Sequence, residues 1–388
     1  MASGKNQNRG IDVNCASQIN RFMSVKIKEV IQYLESWAPL SLQEDYDNAG
    51  LLVGNEENAV SGILVSLDCT EEVVLEAISR NCNLIVAHHP IIFSGLKKLT
   101  GRSYVQRTII TAIKSDIAIY AIHTNLDNVH WGVNAQIGKW IGIDNGQILR
   151  PMTRRIWKLV THVPKKSIEE VESALLAAGA GKIGNYDQCS FRMEGQGFFR
   201  PLENSSPRLG QIGNRESVEE VKLEVVVAEW DRVHVSRALM EAHPYEEVSH
   251  EWMILENAHQ GIGAGMIGNL PQAMNIHEFM IQLKEKFGLI HFKHTELIYK
   301  TVEKIAWCGG SGDFLLEDAK AAGAQVFITS DFKYHRYFDH ENKIIIFDIG
   351  HYESEKCVIE LLNDELSKKF TTFAVLKTGH NTNPVQYF

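Results

Sequence analysis

The chain is poor in cysteine. Six are spread over 388 residues, at Cys15, Cys69, Cys82, Cys189, Cys308 and Cys357, and no two form a C-x-x-C pair. That excludes a disulfide scaffold, a zinc ribbon and a thioredoxin motif. A long apolar run is also missing, and without about 18 such residues in a row no helix spans a membrane. Positive charge is not in excess: 39 basic residues stand against 48 acidic ones, a formal net charge of −9. With no basic block, a dedicated nucleic-acid surface is not expected. Lys5 and Arg9 are not followed by the apolar stretch of a secretory signal. Residues 1–22 are polar and aperiodic, and are expected to form a disordered extension with Met23 as an alternative start. A cytoplasmic location is the expectation.

Hydrophobic residues make up 44% of the chain and charged ones 22%, ordinary for a globular protein. The length suits two or three domains. Amphipathic periodicity begins at Val25 and runs to Leu34, followed by the loop Asp45-Tyr46-Asp47-Asn48-Ala49-Gly50. Short apolar strands are predicted around Leu51, Ile63, Leu84 and Ile117, with a helix between the second and third that Thr70 caps. Strands buried on both faces and alternating with helices predict an α/β fold. The order returns later: strand at 304–307, helix at 314–322, strands at 326–329 and 344–347. Glu76 through Val86 aligns without a gap with Asp318 through Ile328. Two related α/β lobes follow, at 23–151 and 258–388. Between them, 152–257 reads β-α-β-β-α-β, an inserted ferredoxin-like α+β domain.

Three His/acid sets each follow an apolar strand. His88-His89-Pro90 places two imidazoles where a strand ends, so that both can serve one site. In His123-Thr124-Asn125-Leu126-Asp127, Asp127 offers a hard anionic ligand or a helix cap. His351 and Glu355, four apart, share one face of a helix, as a ligand pair or as a solvated ion pair. Each set alone has a structural alternative. Together, three histidines and two carboxylates suffice for a two-metal centre. Gly263 to Gly268 matches G-x-G-x-x-G, but Asn269-Leu270-Pro271 follows where a dinucleotide site needs a helix. Gly309-Gly310-Ser311-Gly312-Asp313 links a strand to a helix and is either a phosphate loop or a plain turn.

These residues, with Ser330-Asp331-Phe332-Lys333-Tyr334-His335, resemble in order the dinuclear-metal proteins called GTP cyclohydrolase 1 type 2 homologues, the NIF-three-like family. The resemblance implies two divalent ions per chain held by His88, His89, Asp127, His351 and Glu355, with Glu355 bridging. Zinc, iron and manganese all suit such ligands. It also implies a toroidal homohexamer, and an insert similar to the trimeric PII and CutA proteins. Ala242-His243-Pro244-Tyr245-Glu246 looks like that insert's signature, which makes His243 structural. The expected function is a metal-dependent hydrolase acting on a nucleotide ring. The proton for the departing nitrogen would come from His335 or Asp331, which the repeat places at a matching strand end. The alternative is a metal-binding or regulatory hexamer without turnover.

Overall fold

A computed structural model describes residues 24–387. The expected extension at 1–22 lies outside them. Contacts divide the chain into two units, one ending at Leu126 and resuming at Glu355, the other running from Asp127 to Ser354.

In the first unit, five strands form one sheet, ordered Gly50–Val53, Ala118–Ala121, Leu84–Ala87, Gly62–Ser66 and Ala374–Lys377. The last four run parallel, and Gly50–Val53 pairs antiparallel with Ala118–Ala121. Every residue of Gly62–Ser66, Leu84–Ala87 and Ala118–Ala121 is buried, as expected for parallel strands covered on both faces. The helices Glu71–Ser79 and Tyr104–Lys114 start at Thr70 and Ser103, whose hydroxyls accept from Val73 N and Gln106 N. Val73, Ala77, Ile109 and Ala112 bury their apolar faces against Leu64, Ile85 and Ile119.

The second unit holds two sheets. The larger is ordered Lys293–His294, Ile345–Asp348, Val326–Ser330, Thr301–Ser311, His259–Asn275 and Gln147–Met152. Its strands Thr301–Ser311, Val326–Ser330 and Ile345–Asp348 are parallel neighbours in chain order, as Gly62–Ser66, Leu84–Ala87 and Ala118–Ala121 are in the first unit. The G-x-G-x-x-G match lies inside His259–Asn275, paired on both sides and far from any helix start. The glycine loop is also no phosphate cradle. Gly309 N donates to Asn134 Oδ1 at 3.0 Å, Gly310 N to Ser354 Oγ at 3.0 Å and Gly312 N to Thr329 Oγ1 at 2.9 Å. Those amides are spent within the protein.

The smaller sheet comprises Ser190–Phe199, Glu216–Ala228, Ile156–Pro164 and His250–Leu255, in that spatial order and all antiparallel. The helices Ile168–Ala177 and Arg232–Ala242 pack on one face through Val171, Leu175, Val235 and Leu239 against Leu159, Leu223 and Val225.

Candidate metal centre

Register builds the site. Ser66 pairs with Ala87, and Ala87 with Ala121, so three parallel strands end level. The ladder continues one step further: His88 N donates to Ser66 O at 3.1 Å, His89 N to Leu67 O at 2.9 Å, and Ile122 N to Ala87 O at 2.9 Å. His88, His89 and His123 therefore emerge from neighbouring strand ends. Their ring centroids lie 5.1–5.3 Å apart. One ligating atom from each falls within 4.8 Å of the others.

Each imidazole is held by its Nδ1. His88 donates to Ile122 O at 2.7 Å. A carbonyl only accepts, so the proton sits on Nδ1 and Nε2 is the basic nitrogen. His89 Nδ1 lies 2.8 Å from Asp68 Oδ1, and His123 Nδ1 lies 2.8 Å from Asp47 Oδ1. The carboxylates are themselves anchored. Asp47 accepts from the amides of Asn48 and Thr124, at 2.7 and 3.0 Å, and Asp68 accepts from the Thr382 hydroxyl at 2.6 Å. This is the arrangement that fixes metal-ligating histidines: an acceptor on one ring nitrogen aims the other. Glu355, a buried carboxylate of the same unit, reaches His89 Nε2 at 2.9 Å.

The electrostatics favour ligands over solvated ions. Burial pushes the fully enclosed His88 down to about 3, so it is neutral at ordinary pH. Burial also works against protonating His89, but Asp68 and Glu355 outweigh it and raise the ring to about 9. Burial works against ionising Asp47, yet its bond to His123 prevails and holds the carboxyl at about 2. Three anchored imidazoles and a buried carboxylate fit a divalent transition metal, with no thiolate in the set. The described cysteines are free thiols.

Of the residues singled out in the sequence, His88, His89 and Glu355 meet in the first unit. Asp127 ends the short helix Thr124–Asp127 and is the first residue of the second unit. His351 opens the helix His351–Glu355, and its Nδ1 lies 2.7 Å from Asp331 Oδ2 in the same unit. Asp331 thus serves His351 directly, from a left-handed backbone at φ +59°. His335 is exposed on the 3-10 helix Tyr334–His340, its ring 5.3 Å from that of Tyr334. His123 joins the cluster although the resemblance did not name it as a ligand. Its position after a buried strand was the available signal. Asp47 and Asp68 emerge as the orienting carboxylates. His243 makes structural bonds, Nε2 to His162 O at 3.0 Å and Nδ1 from Tyr245 N at 3.1 Å.

The sequence pattern of the Duf34/NIF3 family, NGG1p interacting factor 3, matches residues 25–384. The chain belongs to this family. Among its relatives, the GTP cyclohydrolase 1 type 2 homolog of Staphylococcus epidermidis is 35% identical over 367 residues, covering 94% of this chain and 100% of that one. That of Halalkalibacterium halodurans is 37% identical over 365 residues, covering 92% and 98%. A crystal structure of a Bacillus cereus protein related to NIF3 is 35% identical and superposes with a TM-score of 0.82, covering 94% of this chain and 99% of that one. The α/β architecture is thus that of NIF3 proteins, and its His/Glu cluster is of a kind that can hold a metal ion. No helix of the described residues is long and apolar enough to cross a membrane.

Proposed function

We propose that the chain binds two divalent metal ions and hydrolyses a nucleotide ring, the chemistry named for its relatives. The reading rests on one observation above all: three imidazoles whose Nδ1 atoms are held at 2.7–2.8 Å by a carbonyl and two carboxylates. The ligands are His88, His89, Asp127, His351 and Glu355, with Glu355 bridging. Bound metals would supply Lewis acidity and a water of lowered pKa. The protein's own groups do the rest. Asp68 and Asp331 aim His89 and His351. His123, anchored at Nδ1, offers Nε2 as a proton acceptor beside the ligands. Because Asp331 is engaged with His351, His335 is the better placed of the two candidate acids.

The small sheet forms the inserted PII/CutA-like domain of a homohexamer, and the protein works in the cytoplasm. Zinc, iron and manganese remain equivalent on ligand chemistry. The test pairs elemental analysis with GTP turnover on one preparation. About two ions per chain, with turnover lost to chelator and restored by metal, is the expected result. Fully loaded protein that leaves GTP and related nucleotides untouched would sink the hydrolase reading. It would favour a metal-binding or regulatory assembly instead.

A further inference from the structure

The small sheet carries helices on one face only. Against its other face lies a cavity of about 780 Å3, within the range of small-molecule sites. One wall is the strand segment Glu194–Phe199, and the floor carries Glu220, Lys222 and His162. The loop that follows, residues 200–215, forms the opposite wall and is pinned in place. Gly213 N donates to Pro201 O at 2.8 Å, and Ser205 Oγ to Leu202 O at 2.7 Å. Ser206 N reaches both carboxylate oxygens of Glu246, at 2.9 and 3.1 Å, tying the loop to the segment behind it.

The lining has a definite chemistry. Phe199 and Tyr245 make an aromatic corner, with ring centroids 6.2 Å apart, and Met193, Leu202 and Leu209 extend it with apolar surface. Tyr245 is fixed by its hydroxyl, which donates to Glu220 Oε1 at 2.9 Å. Most of the cavity's charge is already matched. Glu194 pairs with Lys165 at 2.8 Å, Lys222 with Glu224 at 2.7 Å, and Glu220 and Glu246 carry the hydrogen bonds above. Arg200 and Arg208 differ: both line the cavity, and neither has a carboxylate partner among the described residues. Two unmatched guanidinium groups beside an aromatic corner suit one kind of ligand.

We propose that this cavity binds an amphipathic organic anion, its phosphate or carboxylate on Arg200 and Arg208 and its apolar body against Phe199 and Tyr245. The site belongs to the second unit and uses none of the proposed metal ligands, so it stands or falls apart from the hydrolase reading. The probe is 8-anilinonaphthalene-1-sulfonate, an aromatic anion that fluoresces in apolar surroundings, titrated into the full-length protein. Saturable binding at one site per chain is expected. The double variant Arg200→Glu/Arg208→Glu should weaken it at least about tenfold, while Arg200→Lys/Arg208→Lys, which keeps the charge, stays within about fivefold. Both arginines are exposed, so the variants should melt with the wild type, and metal content should not move. Displacement of the dye by ATP but not decanoate assigns the ligand to the nucleotide class, and the reverse assigns it to fatty acids. Displacement by neither, saturable binding that survives charge reversal, or no saturable binding in the wild type overturns the proposal.

Discussion

At the residue scale, the candidate site depends on groups one bond removed from any metal. Asp68 accepts from His89 and Thr382, and a methyl group in its place would leave the His89 ring free to turn. Asp68→Ala should therefore lower metal affinity by about 10–100-fold without emptying the site at high metal, because the ligating atoms themselves remain. A chelator-competition titration checks this, and affinity equal to wild type would remove Asp68 from the site. Glu355→Gln asks a different question. An amide keeps the shape and can still meet His89 but bridges two cations poorly, so at least one ion per chain should be lost. If elemental analysis finds both ions retained, Glu355 is not the bridge.

At the element scale, what could be read from the sequence and what could not have different causes. Leu84–Ala87 and Ala118–Ala121 were legible because burial on both faces demands continuous apolar residues, a local signal. The residues after them were legible as polar departures from that run. What was hidden is register. Only the pairing of Ala87 with Ala121 sets His123 beside His88, and pairing between strands about 30 residues apart leaves no mark in either segment. The glycine loop misled for the same reason: its amide partners Asn134, Ser354 and Thr329 come from three distant parts of the chain. Sheet geometry also makes demands on single backbone positions. Gly54 leaves the strand Gly50–Val53 at φ +106°, and a Cβ there would stand 2.6 Å from both Cα and Cβ of Ala118. Gly54→Ala combines a backbone strain of roughly 1–3 kcal/mol with a clash that the strand must move to relieve. A stability loss of about 2–4 kcal/mol is expected in denaturant unfolding, since the clash meets a fully paired strand. A loss below half a kilocalorie would show that this sheet edge yields easily.

At the scale of the whole molecule, the point is how the small sheet joins its unit. Gln147–Met152 and His259–Asn275 are antiparallel neighbours, and Met152 lies opposite His259. All four strands of the small sheet, from Ile156 to Leu255, come between those paired residues. The chain leaves and re-enters the larger sheet across a single rung of a ladder. The segment has its own core around Leu159, Leu175, Leu223 and Leu239, so its removal should not open the core around Ala306, Phe327 and Ile346. Replacing residues 153–258 by an Asn-Gly turn should close Met152 and His259 into a two-residue hairpin, a connection that matches strand twist. All five proposed ligands lie outside the deletion, as do Asp47, Asp68 and His123, which shape the imidazole cluster. The shortened chain should keep the wild-type metal content while losing the anionic dye site described above. Native mass measured on the same sample reports whether the segment also contributes to assembly. A soluble, folded product stripped of both metals would place an essential support of the site within residues 153–258, and the metal centre would then have to be sought with that segment included.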